Sequence, residues 1–132
     1  MAETKHAERP LSPHLQIYRP MLTMMMSIFH RATGVALYAG VLLLVWWLTA
    51  AAISDEYFNL VQGFFGHWFG RLVLFGFTWA LMHHALGGLR HLLPDTGRGF
   101  DLALVEKLAR ANLVLSVVIT LVLWVIAYGV MP

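Results

Sequence analysis

The sequence predicts an all-α integral membrane protein with three transmembrane helices and its N-terminus on the cytoplasmic side, or on the matrix side of a mitochondrion. Three observations lead there. Of 132 residues, 59% are hydrophobic and only 12% are charged, a balance foreign to a water-soluble domain of this length. Three runs, residues 32–53, 72–89 and 111–131, contain no Asp, Glu, Lys or Arg. At about 1.5 Å per residue they span roughly 33, 27 and 31 Å, against a hydrocarbon core of about 30 Å. The basic residues are also unevenly placed: Lys5, Arg9, Arg19 and Arg31 precede the first run, and Arg90, Arg98, Lys107 and Arg110 fill the second connection. The first connection opens on Asp55 and Glu56 and has no Lys or Arg before Arg71. Counting Lys and Arg in short flanks puts the N-terminus and the second connection inside, and the C-terminus outside.

Taken in order, residues 1–26 read as an N-terminal arm at the inner face, punctuated by Pro10, Pro13 and Pro20. Residues 27–132 form the transmembrane domain, with spans expected over about 28–53, 65–92 and 107–131. The start, MAETKHAERPLSPH, mixes Glu3 and Glu8 with Lys5 and Arg9 and has no apolar stretch, so it reads as neither a secretory signal nor an acid-poor transit peptide. A bacterial cytoplasmic membrane is the expected location, with a processed mitochondrial inner-membrane chain as the second choice. Residues 57–70, YFNLVQGFFGHWFG, are aromatic and broken by glycines. They form either an interfacial segment or an extension of the second helix. Pro94, Gly97 and Gly99 break the chain after the second span.

Several chemistries are excluded at once. With no cysteine the chain has no disulfide, no thiolate metal site and no cysteine nucleophile. A net charge of +2 without a basic run does not suit nucleic acid. A transporter fragment is disfavoured because no acidic residue lies in any span and no inverted repeat is visible.

The stretch MHHALGGLRH, residues 82–91, puts three histidines and an arginine in an apolar segment. His84 sits about 9 Å deeper than Arg90 at helical rise, a depth where an ionisable group needs a partner, a cavity or a ligand. Counting by three and four from it gives Gly76, Ala80, Gly87, Gly88 and His91 on roughly one face. An axial imidazole flanked by small residues suits a flat macrocycle held edge-on, and Arg31 and Arg90 at the inner boundary suit the propionates of a haem. Two plainer readings stand beside it: a neutral histidine bonded to a neighbouring helix, and small residues that let helices pack closely. The arginines also serve as headgroup anchors. His83 competes with His84 for the ligand role, and residue types favour His84 only narrowly. If the iron is bis-histidine, no second imidazole of this chain stands opposite His84: His67 is near the other interface, and His91 is on the same helix. His30 could reach only from an unusually deep first helix.

On the first helix, Ser27 and Arg31 are four apart, so a hydroxyl and a guanidinium share one face beside Ile28 and three methionines, Met24 to Met26. Such a pair offers hydrogen-bond donors to a quinone head group. The plainer reading is Ser27 as a helix N-cap. Asn112, Ser116 and Thr120, at steps of four on the third helix, read as interhelical hydrogen bonding.

These residues resemble a known family. The Arg9–Pro10 pair, the S-x-x-H-R-x-T run of Ser27, His30, Arg31 and Thr33, and the H-x-x-x-G-L-R-H run from His84 to His91, followed by Asp95 and Gly97, are similar to the cytochrome b subunit of succinate dehydrogenase, respiratory complex II. Pro94 departs from the family's usual aromatic or methionine there. The resemblance implies half of a haem-binding anchor bundle, completed by a second small membrane subunit. It implies haem b with His84 as one axial ligand and the partner supplying the other. His30 and Arg31, with His91 and Arg90 at the same boundary, would lie near the propionates. It further implies a ubiquinone site lined by Ser27, Ile28 and Arg31, completed by an iron–sulfur subunit, with a flavoprotein subunit oxidising succinate elsewhere. No residue of this chain is expected to act on succinate itself. A haem-free structural anchor and the anchor of a fumarate reductase are the alternatives.

Overall fold

The computed structural model describes residue 14 and residues 17–130. Of the expected N-terminal arm, Lys5, Arg9, Pro10 and Pro13 lie outside the described residues, as does Met131 at the other end.

Among the described residues the chain forms four helices and no strand: α1 (Leu22–Ile53), α2 (Asp55–Gly66), α3 (Trp68–Asp95) and α4 (Leu102–Val130). Three of them, α1, α3 and α4, are long and apolar enough to cross a membrane. The breaks between helices are chemically marked. Ser54 is extended and its hydroxyl accepts from the Tyr57 backbone N–H at 3.2 Å, capping α2, whose first turn carries Asp55 and Glu56 toward the positive end of the helix dipole. His67 caps α3, and Asp101 caps α4 by accepting from the Leu104 N–H at 2.8 Å. Residues 57–70 therefore resolve into a separate helix lying back on α1 and the first residues of α3.

Two boundaries differ from the reading of the sequence. α1 starts at Leu22, with Met21 at its N-cap and no side-chain cap, so Ser27 lies more than a turn inside the helix and is not a cap. α3 runs through Pro94 to Asp95. Proline is tolerated so near the end because it forfeits a single backbone bond, and the turn that follows closes through Gly97 at φ 77°. The three long helices extend roughly 7–14 Å beyond Arg31, Arg90 and Arg110 at helical rise, on the side that the basic residues assign to the inner face.

The interior is narrow and mixed. Met26, Ala50, Val61, Phe65, Ala80 and Ala109 are buried together with Thr33, His83, Asn112, Ser116 and Thr120, whereas large apolar side chains such as Val35, Leu42 and Val125 face outward. This inversion is what lipid as solvent produces: apolar residues have no preference for the inside, so small residues and polar pairs set the contacts. Gly40 shows the closeness achieved, since a Cβ there would fall 2.0 Å from the Phe77 ring on α3. In the outer half, α2 rests on α1 through Ala50, Val61 and Phe65, with Trp46 Nε1 donating to the Tyr57 hydroxyl at 2.8 Å and Trp47 Nε1 to Gln62 Oε1 at 2.9 Å.

Candidate functional site

The inner half of the α1–α3 pair brings His30, Thr33 and Gly34 of α1 against His84, Gly87 and His91 of α3. The His30 and His84 rings lie parallel, with centroids 4.0 Å apart and planes 9° from each other. His91 meets the His30 ring edge-on at 5.3 Å. Two glycines make the room. A Cβ at Gly87 would stand 2.5 Å from His30 Nδ1, and one at Gly34 would stand 3.2 Å from His84 Cε1.

Hydrogen bonding fixes the state of His84. Its Nδ1 is 3.1 Å from the backbone carbonyl of His30 and 3.4 Å from the Thr33 hydroxyl. A carbonyl can only accept, so Nδ1 carries the proton, and Thr33, whose own proton goes to the Phe29 and His30 carbonyls, accepts as well. In the neutral imidazole Nε2 is then the acceptor, and no described residue hydrogen-bonds to it. A ring N–H donated to a backbone carbonyl in this way orients an imidazole so that its other nitrogen can bind a metal. Beside it, His30 Nδ1 is buried with no hydrogen-bond partner.

His83, one residue earlier, has the opposite surroundings. Its side chain is 0% exposed, lies 3.4 Å from Ser116 Oγ of α4, and is packed edge-on to Phe29 and tilted against Trp79. Side chains of this chain fill the space around it, whereas His84 is half-buried at the edge of the bundle.

Ser27 and Arg31 are joined by a hydrogen bond of 3.2 Å from Arg31 Nη2 to Ser27 Oγ. Ile28, beside them, is 55% exposed. Four other hydroxyls inside the long helices return their protons to their own backbone: Thr33 to Phe29, Thr78 to Leu74, Ser116 to Leu113 and Thr120 to Ser116. Ser27 instead accepts, so its proton and the remaining N–H groups of Arg31 stay available on an exposed face.

The expected cluster is thus assembled in part. Ser27, Ile28, His30 and Arg31 share the inner half of α1, and His84 and His91 meet it from α3. Arg90, six residues and about a third of a turn on from His84, lines a groove of about 290 Å³ beside α4 with Leu93, Leu108 and Asn112. The stripe of small residues is also divided. Ala80 and Gly87 face α1, while a Cβ at Gly76 or Gly88 would meet nothing within 4 Å. Of the polar stripe on α4, only Ser116 reaches across to another helix; Thr120 bonds to its own, and both amide atoms of Asn112 are buried without partners. The sequence reading missed Thr33 and Gly34 as neighbours of His84; their spacing of three and four from His30 was the available signal. Among the described residues no group of three or more His, Asp or Glu is arranged to hold a metal ion by itself.

Residues 5–123 match the model of the succinate dehydrogenase/fumarate reductase transmembrane subunit family. The chain is 41% identical over 128 residues to the succinate dehydrogenase cytochrome b556 subunit of Paracoccus denitrificans, covering 97% of this chain and 98% of that one. It is 38% identical to the cytochrome b556 subunit of Rickettsia typhi, covering 89% and 92%. It is also 38% identical to the mitochondrial succinate dehydrogenase cytochrome b560 subunit of Sus scrofa, covering 84% of this chain and 67% of the relative.

Proposed function

The chain belongs to the succinate dehydrogenase/fumarate reductase transmembrane subunit family, as a multi-pass inner-membrane anchor of succinate dehydrogenase, and on that premise we propose that it holds haem b through His84 and forms one wall of a ubiquinone reduction site with Ser27, Ile28 and Arg31. The observation that carries the haem assignment is the His84 imidazole, with Nδ1 tied to the His30 carbonyl and Nε2 left unpaired at the edge of the bundle. The relatives' names, cytochrome b556 and b560, support a haem of the b type.

His84 would hold the haem from this chain, and a second imidazole would have to come from the other small anchor subunit, because His30, stacked on His84 at 4.0 Å, leaves no room for a macrocycle between the two rings. His30, Arg31 and His91 would be the groups on this side to meet the propionates, with Arg90 at the same boundary on the neighbouring face of α3. When bound, the haem supplies a one-electron store beside the quinone.

At the quinone, Ser27 donates its hydroxyl proton to one carbonyl oxygen and Arg31 donates from its guanidinium. Both gain strength as negative charge develops on that oxygen during reduction. The Arg31–Ser27 bond orients the two donors before the quinone arrives, and Ile28 offers an apolar wall to its ring. Electrons enter from an iron–sulfur subunit docked on the inner face, and a flavoprotein subunit beyond it oxidises succinate. The names of the relatives favour this direction over fumarate reduction.

The test is the optical spectrum of the purified complex. Dithionite produces a b-type alpha band in the wild type and in His83→Gln, and none in His84→Ala. A band that survives His84→Ala and disappears with His83→Gln transfers the ligand role to His83, and no band in the wild type leaves a haem-free anchor.

A further inference from the structure

A cleft of about 540 Å³ in the outer half of the bundle is used by neither haem nor quinone in this reading. All four helices of the chain contribute to its walls, and its lining is largely apolar, with Leu43, Leu74, Phe77 and Leu123 among the side chains that form it. Arg71 and Tyr128 line it too. Arg71 Nη1 donates to the Tyr128 hydroxyl at 3.4 Å, and the guanidinium lies 5.8 Å from the centre of the Tyr128 ring.

Arg71 is the only Lys or Arg between Arg31 and Arg90. Nineteen residues of α3, or about 28 Å, separate it from Arg90, which sets it at the boundary remote from the N-terminal cations. Among the described residues the one ion pair is Arg110–Glu106, so Arg71 has no carboxylate to answer its charge. Asp55 and Glu56 stand at the first turn of α2, whereas the cleft takes Gln62, Phe65 and Gly66 from the other end of that helix. The result is an uncompensated guanidinium at headgroup depth over an apolar cleft of ordinary small-ligand size, roughly 300–1,000 Å³.

We propose that this cleft binds an anionic phospholipid of the outer leaflet, with its phosphate on the Arg71 guanidinium and the Tyr128 hydroxyl and an acyl chain along Leu43, Leu74 and Leu123. Arg71 supplies several planar donors suited to phosphate, and the Tyr128 hydroxyl, accepting from Arg71, keeps its own proton to donate. A zwitterionic lipid brings an ammonium beside Arg71 with no carboxylate at hand to receive it, so phosphatidylglycerol is favoured over phosphatidylethanolamine. The site is independent of the haem and quinone assignments.

Intact-complex mass spectrometry of the whole complex, exchanged from membranes into mild detergent, counts the lipids retained, and co-purifying succinate oxidation with an artificial acceptor verifies assembly. Wild type retains phosphatidylglycerol in preference to phosphatidylethanolamine. Arg71→Gln lowers its occupancy by about tenfold, the loss expected for one charge-assisted pair. Leu74→Trp, which fills the cleft and leaves the cation in place, lowers it too, and decides the matter should Arg71→Gln fail to assemble. Equal retention in wild type and the assembled variants, no preference between the two lipids, or ubiquinone retained in the lipid's place overturns the proposal.

Discussion

The α3–α4 seam and the α1–α3 edge each hold one of two consecutive histidines, and they treat the same side chain differently. In the seam, His83 is fully enclosed by Ser116, Trp79 and Phe29. At the edge, His84 is anchored through one nitrogen by a backbone carbonyl, and its other nitrogen is unbonded at the bundle surface. Burying a polar group in an apolar medium is costly wherever it happens. The seam answers that cost only in part, through the Ser116 hydroxyl, and leaves His83 Nε2 and both amide atoms of Asn112 buried without partners, whereas at the edge the unbonded nitrogen of His84 is not enclosed. Depth does not separate these two adjacent histidines; what differs is where the unbonded nitrogen lies, enclosed in the seam for His83 and at the bundle surface for His84.

The largest effect that sharpens this contrast is expected at Gly87, which makes room for His30 and so maintains the carbonyl that holds His84. Gly87→Leu should remove most of the b-type absorbance from complexes that still assemble, while Gly63→Ala, whose added methyl meets nothing within 4 Å, keeps the spectrum. Full haem content in Gly87→Leu would break the link between the His30 backbone and His84. Next come the donors on the same side. Arg31→Leu should slow ubiquinone reduction roughly ten- to hundredfold, and Ser27→Ala less, with succinate oxidation by an artificial acceptor unchanged. Normal quinone turnover in both removes the pair from the site. On the seam side, Ser116→Ala should lower stability by about 1 kcal/mol, read as a fall in melting temperature, with the haem spectrum unaltered. A changed spectrum would mean that the seam is not merely structural. The smallest effect belongs to the helix caps: Ser54→Ala should cost roughly 0.5–1 kcal/mol and touch neither region.

The three spans were legible in the sequence because charge is expelled from the hydrocarbon, and the runs free of Asp, Glu, Lys and Arg fall within α1, α3 and α4 as far as residue 130. The inner histidine cluster was legible by topology, since antiparallel helices bring residue 30 near residue 84. Facing was harder to read. Arg90 has a depth that suits the propionates, but six residues of helix set it about a third of a turn from His84, beside a groove that α4 also lines, and depth alone does not show that rotation. The start of α1 was hidden because Met21 offers no capping side chain. Between His83 and His84 the residue types gave little, because what distinguishes them is which neighbouring helix each one meets.

The inward overrun of α1, α3 and α4 beyond Arg31, Arg90 and Arg110 also bears on energy conservation. Ser27 lies four residues before Arg31, on the overrunning part of α1, so on the proposed function a quinone reduced beside it would draw both protons from the aqueous phase on the side of the membrane from which its electrons arrive. No charge would then traverse the dielectric, and turnover should proceed at one rate whether the membrane is polarised or collapsed by an uncoupler.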